Sequence, residues 1–222
     1  MVRSRMRTGF IFFVLSVWSA FCACAGIFYC TLANLRWYGI AAGAICMVLA
    51  IPFHVGAKRH RTALYVLSVT ANSVGSGFSI GTYYSVKEKQ LSIENLLTVF
   101  ALFALLSLCA YFFLSVWKRK TIPVIIAGSV LVALVVGAIV GWIGVRSNFY
   151  SLAFFFLLLM SFHYVAYVMT LAEPRDLFRN ASFGNFGAFV LITLAVIVVL
   201  SEGDFLEIFS DVGGSGKTKK KK

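Results

Sequence analysis

The sequence predicts an all-α fold, a polytopic transmembrane helix bundle of about seven spans. Hydrophobic residues make up 60% of the 222 residues and charged residues only 13%, a composition well outside that of soluble globular domains. The charges fall in short clusters between apolar runs of about 20 residues, the length that a helix needs to cross the hydrocarbon core of a bilayer. We therefore expect one transmembrane domain over residues 1–207, followed by a flexible, lysine-rich tail over 208–222.

The first two spans are predicted at about 9–30 and 37–57. The first apolar run exceeds the roughly 7–15 residues of a signal-peptide core, so we interpret it as a membrane helix. The second run begins with Gly39 and Gly43, four residues apart. Small residues at this spacing allow two membrane helices to approach closely, so both glycines are predicted to lie in a helix contact.

The third span, at about 62–84, is the most polar of the apolar runs, and we expect it to be buried by its neighbours. One of its helical faces carries the small residues Ser73, Gly77 and Gly81, which favour close packing. An adjacent face carries hydrogen-bonding side chains, namely Ser68, Asn72, Ser76, Ser79 and Tyr83. The alternative for this segment is a re-entrant loop, which would leave six spans.

The last four spans are more uniformly apolar, and their predicted bounds are about 96–117, 122–145, 149–171 and 186–200. Gly137 and Gly141 repeat the four-residue spacing within the fifth span, so they are also predicted to be helix-packing positions. The sixth span contains His163 well inside its apolar run, with Tyr167 and Thr170 on the same helical face.

The net charge of +12 is carried by basic clusters that flank the spans. We interpret these clusters as contacts to anionic headgroups of the lipid bilayer, and we expect no nucleic-acid partner. The loops favour a cytoplasmic N-terminus, which with seven spans would leave the basic tail outside; an even number of spans would remove this conflict. A bacterial plasma membrane is the preferred location. The endoplasmic reticulum is the alternative, suggested by the Asn180-Ala181-Ser182 glycosylation sequence and the terminal lysines.

Five residues are predicted as cavity or ligand candidates: Asn72, Ser76, Ser79, His163 and Tyr167. Polar and ionisable side chains inside a membrane are costly unless they are paired, and they often mark a substrate or ion pathway. The alternative interpretation is that these groups only hold helices together through hydrogen bonds. No acidic or basic residue accompanies them within the spans, which favours a neutral cavity over an ion-coupled pump.

The sequence contains no signature that assigns an enzymatic reaction, and we expect no catalytic residues, metal or cofactor. The five cysteines lack the spacing of a zinc or redox site. An intramembrane enzyme remains an alternative, because Gly75-Ser76-Gly77 resembles the nucleophile of an intramembrane serine protease with His163 as its base.

The preferred prediction is therefore a small transporter-like or channel-like membrane protein with a neutral polar cavity. A different class is the alternative: a non-transporting scaffold or assembly subunit that binds other membrane helices through its glycine-containing faces. In either class the chain could associate with a second copy of itself or with another membrane protein.

Overall fold

The computed structural model describes residues 2–57, 62–116, 121–172 and 176–201. These residues form seven α-helices and no strand, and every helix is long and apolar enough to cross a membrane. The predicted seven-span helical bundle is thus confirmed. The predicted tail over 208–222 lies outside the described residues. The helices are α1 (Val2–Leu32), α2 (Tyr38–Gly56), α3 (Thr62–Val86), α4 (Ile93–Val116), α5 (Thr121–Val145), α6 (Asn148–Ala172) and α7 (Leu177–Leu200).

The polar third span is a continuous helix, which excludes the re-entrant alternative. Fourteen of the 25 residues of α3 are buried, whereas α5 buries only three of its 25. α3 packs against α1, α2 and α7, and α5 packs mainly against α6 at the edge of the bundle. Since apolar side chains gain nothing by leaving lipid, the helix with most polar groups takes the inner position.

The seventh helix begins nine residues earlier than its predicted start at about residue 186. The polar side chains Asn180, Ser182 and Asn185, which precede the predicted start, are buried within the bundle. Hydropathy alone treats such residues as loop-forming, because it does not see the partners that pair with them. The burial of Asn180 and Ser182 also removes the support for glycosylation, since an acceptor asparagine must be on the surface.

Glycines allow the backbones of α1 and α3 to touch. A Cβ atom placed on Gly77 would lie 2.2 Å from the carbonyl oxygen of Ala23 and 2.9 Å from the Cα of Gly26. A Cβ atom on Gly81 would lie 2.6 Å from the Cβ of Cys30 on the same neighbour. The small-residue face of α3 therefore packs directly on α1.

The other glycines that the sequence singled out have different surroundings. A Cβ atom on Gly39 would lie 2.3 Å from Thr82 Oγ1, and one on Gly43 would lie 3.0 Å from the carbonyl oxygen of Gly75, so both face α3. A Cβ atom on Gly141 would meet the Tyr150 ring at 2.7 Å, whereas one on Gly137 would meet no described atom within 4 Å.

The contrast between Gly77 and Gly137 gives a test of the packing. Gly77→Ala should lower the free energy of unfolding by about 2 kcal/mol or more, because the added methyl group forces the α1 and α3 backbones apart. Gly137→Ala, its matched control, should be neutral or stabilising by up to about 1 kcal/mol, because alanine favours the helix and meets open space. Unfolding of the purified variants in detergent would measure both values. Equal stability of the two variants would contradict the α1–α3 contact.

Candidate functional site

Four helices meet at a buried hydrogen-bonded cluster, which we call the Asn185 network: Ser19 of α1, Ser73 of α3, His163 of α6 and Asn185 of α7. All four side chains have no exposed surface. The Ser19 hydroxyl donates to Asn185 Oδ1 at 2.6 Å, and Ser73 Oγ lies 2.8 Å from the same oxygen. The two serine hydroxyls are 2.6 Å apart. One amide oxygen thus joins three helices.

The remaining contacts of this network determine which nitrogen of His163 carries the proton. Asn185 Nδ2 donates to the carbonyl oxygen of Ala181 at 3.0 Å, which fixes the orientation of the amide. His163 Nδ1 lies 2.8 Å from the carbonyl oxygen of Leu159, which can only accept, so Nδ1 is the protonated nitrogen. His163 Nε2 is then the acceptor for the second Asn185 Nδ2 hydrogen, at 3.0 Å. Both ring nitrogens of a neutral imidazole are therefore occupied by protein partners.

The other predicted candidates have hydrogen-bond partners outside the Asn185 network. The Ser76 hydroxyl donates to the backbone carbonyl of Asn72 at 3.0 Å, and Ser79 Oγ lies 2.8 Å from Thr193 Oγ1 of α7. The Tyr167 hydroxyl lies 2.8 Å from Ser115 Oγ of α4. These three side chains connect neighbouring helices or turns, and they do not converge on one cavity.

A cleft of about 210 Å³ lies between α2, α3 and α7, and we call it the α2–α7 cleft. Asn72 and Ser68 of α3, His54 of α2 and Ser182 of α7 supply its polar groups, and its remaining wall is apolar. His54 Nδ1 lies 2.8 Å from Ser182 Oγ, which donates to Ser68 Oγ at 2.8 Å. This chain of hydrogen bonds ties the three helices together near their ends.

Asn72 is the polar residue of this cleft that the protein leaves incompletely paired. Its side chain is 1% exposed, and its Oδ1 atom has no hydrogen-bond partner among the residues that the structure describes. An unpaired amide oxygen in a hydrocarbon environment costs several kcal/mol. Asn72 therefore carries a buried acceptor that no described residue pairs, and it is the one predicted candidate that lines the cleft.

An aromatic ring packs between α2, α3 and α7 about one helical turn beyond the residues that line the cleft. The Phe189 ring of α7 packs on Gly75 of α3 and Gly43 of α2, so that a Cβ atom on Gly75 would lie 3.0 Å from the ring and 3.1 Å from the Gly43 carbonyl oxygen. The paired hydroxyls of Ser79 and Thr193 follow on the far side of this contact, one turn further along α3. The polar groups between α3 and α7 are thus interrupted by one close-packed layer.

Ser19, Ser182 and Asn185 are not among the cavity or ligand candidates that the sequence predicts. Asn185 continues the stripe of small and aliphatic residues Ala181, Ala188, Ile192 and Val196, all of which are buried. That stripe is visible in the sequence and could have placed the polar segment on a helix. The pairing of Asn185 with α1, α3 and α6 has no such signal, because each partner lies on another helix.

Substitution of each buried asparagine by leucine should have a different effect on the free energy of unfolding. Asn185→Leu should lower the free energy of unfolding by at least about 2 kcal/mol, because it leaves His163 Nε2 without its donor and removes the acceptor that Ser19 and Ser73 share. Asn72→Leu should leave it unchanged or raise it, because it removes a buried acceptor that no described residue pairs.

Chemical or thermal unfolding of both variants in the same detergent would measure this difference. Wild-type protein and an exposed substitution on α5, Val132→Leu, serve as references for the effect of the assay conditions. A large loss of stability in Asn72→Leu would show that its amide is a structural contact and would remove the basis for a ligand site there.

Comparison with protein-family models, with curated proteins and with solved structures found no match for this chain. The site must therefore be interpreted from its own residues and their geometry. Seven long, apolar helices assign the chain to the integral membrane proteins, with a lipid bilayer as its environment.

Proposed function

We propose that this integral membrane protein is a small transporter-like protein that takes an uncharged molecule into the α2–α7 cleft. The observation that carries the proposal is Asn72, which lines the cleft and whose buried Oδ1 has no described hydrogen-bond donor. Evolved helix bundles pair their buried polar groups internally, so an unpaired one beside open space favours a ligand contact over a packing role.

The size and chemistry of the cleft restrict the molecule. A volume of about 210 Å³ is about seven times the roughly 30 Å³ that a water molecule occupies in the liquid, so only a few non-hydrogen atoms fit. The described lining residues supply hydroxyls, an amide and one imidazole, and none of them is acidic, a lysine or an arginine. A charged ligand would lose its hydration without gaining a counter-ion, which favours an uncharged one.

The hydrogen-bonding face of α3 suggests a path by which such a molecule would move from the cleft further into the bundle. Beyond Phe189, the Ser79 and Thr193 hydroxyls form the next polar pair between α3 and α7. Passage from Asn72 to this pair requires the Phe189 ring to leave its contact with Gly43 and Gly75. A ring can swing aside with its side-chain torsions, so a single residue would separate the two halves of the path.

Cysteine labelling at α3 tests whether the cleft admits a small uncharged molecule. Methyl methanethiosulfonate, a small neutral thiol reagent, should modify Ser68→Cys, because Ser68 lines the cleft. Ser76→Cys is the matched control on the same helix: Ser76 is equally inaccessible to bulk solvent, but it bonds only to its own helix and lines no described cavity. Mass spectrometry of the modified peptides separates these sites from the five native cysteines.

Modification of Ser68→Cys with protection of Ser76→Cys is the expected result. Equal protection of both cysteines would exclude the cleft as a binding site. The scaffold alternative predicts a different pair of results. Both cysteines would stay protected, and substitutions in α2 or α5 would cause the loss of a co-purifying membrane partner.

Phe189→Ala tests the path beyond the cleft. In the variant that also carries Ser79→Cys, removal of the ring should accelerate modification by the same reagent by at least about tenfold, which corresponds to about 1.4 kcal/mol of opening free energy. Ser76→Cys in the Phe189→Ala background reports any general loosening of α3. Acceleration at both cysteines, or at neither, would contradict a path that Phe189 closes.

A further inference from the structure

We infer that the α2–α7 cleft takes its ligand from the bilayer, and that this ligand is an amphiphile with an apolar chain and an uncharged, hydrogen-bond-donating head such as a hydroxyl. The inference rests on the proposed function, in that it assumes the cleft to be a ligand site. It adds the direction of entry and the chemical class of the molecule.

The opening of the cleft is apolar and faces sideways. Ile51 and Val55 of α2 and Phe183 of α7 line it, and these side chains are 46%, 74% and 61% exposed. α2 and α7 each pack closely on α3 but touch one another at few positions. A gap between two membrane-spanning helices, bordered by exposed aliphatic and aromatic side chains, opens to acyl chains rather than to water.

Two contacts limit the cleft along the membrane normal. The hydrogen bonds from His54 to Ser182 and from Ser182 to Ser68 connect α2, α7 and α3 on the side of the helix ends. On the opposite side the Phe189 ring packs on Gly43 and Gly75, about one turn of α3 beyond Asn72. Between these two contacts the wall of the cleft that remains open is the lateral gap beside Ile51 and Phe183.

The acceptor at the base of the cleft lies deep in the membrane. Asn72 is the eleventh of the 25 residues of α3, and a rise of about 1.5 Å per residue places it roughly 15 Å from the start of that helix. The hydrocarbon core is about 30 Å thick, so Asn72 lies near its middle. A donor that reaches this depth through an apolar gap must be attached to an apolar molecule.

The residues that line the cleft indicate the chemistry of the head group of that molecule. Asn72 Oδ1 accepts a hydrogen bond and requires a donor, and the absence of a charged residue from the described lining disfavours an ammonium or phosphate head. The cavity of about 210 Å³ holds a hydroxyl with the first few carbons of a chain, while the rest of the chain lies between Ile51 and Phe183 in the surrounding lipid.

A photoreactive octanol that carries a diazirine on its chain tests this inference with the full chain in phosphatidylcholine nanodiscs. After illumination, its adducts should map by mass spectrometry to Ile51, Val55 and Phe183, and excess unlabelled octanol should reduce them several-fold. The methyl ether of the same probe is the matched control, because it partitions into lipid but cannot donate. It should label these residues several-fold less, and Asn72→Leu should abolish the difference between alcohol and ether.

A second measurement distinguishes entry from lipid from entry from water. A charged, membrane-impermeant methanethiosulfonate should not modify Ser68→Cys, whereas the neutral reagent should. Modification by the charged reagent would overturn entry from lipid. Equal labelling by the alcohol and the ether would overturn the requirement for a hydrogen-bond donor. Either result would leave the cleft itself as a ligand site. Failure of the neutral reagent at Ser68→Cys would reject the proposed function together with the inference.

Discussion

The hydrogen bonding of Asn185 is the interaction on which the arrangement of this bundle depends. Inside a bilayer no water is available to pair with polar groups, so each buried amide and hydroxyl must find its partner within the protein. The Asn185 amide meets this requirement by joining α1, α3, α6 and its own helix in one network. Separating any of these helices would expose unpaired groups to lipid, which makes their mutual arrangement specific.

The network also explains why one side of α3 is packed closely on α1 and the other side borders a cleft. Ser73 turns one side toward α1, where Gly77 and Gly26 bring the two backbones into contact. The other side, with Ser68 and Asn72, faces α2 and α7, which do not close completely over it. The rigid contact with α1 holds Asn72 at a fixed depth, and the looser side leaves room for a molecule beside it.

Part of the candidate site could be predicted from the sequence and part could not. The polarity of the third span was sufficient to predict its burial and to select Asn72, because a polar helix is costly against lipid. The sequence also selected His163, whose ring nitrogens prove to be occupied by Leu159 and Asn185. Asn185 was missed because it lies just before the predicted start of the seventh span at about residue 186, and hydropathy counts polar residues without regard to their partners.

The sequence by itself determined the class of protein and predicted the inner position of α3 and seven spans, with six as the alternative, because these follow from the free energy of transferring each segment into lipid, which depends on composition. Only the tertiary structure decided which asparagine is paired and which is not. Asn72 and Asn185 are the same residue type in similar surroundings, but hydrogen bonds require donor and acceptor within about 3 Å. That distance is set by how closely the helices approach, and the approach depends on contacts between residues far apart in the chain.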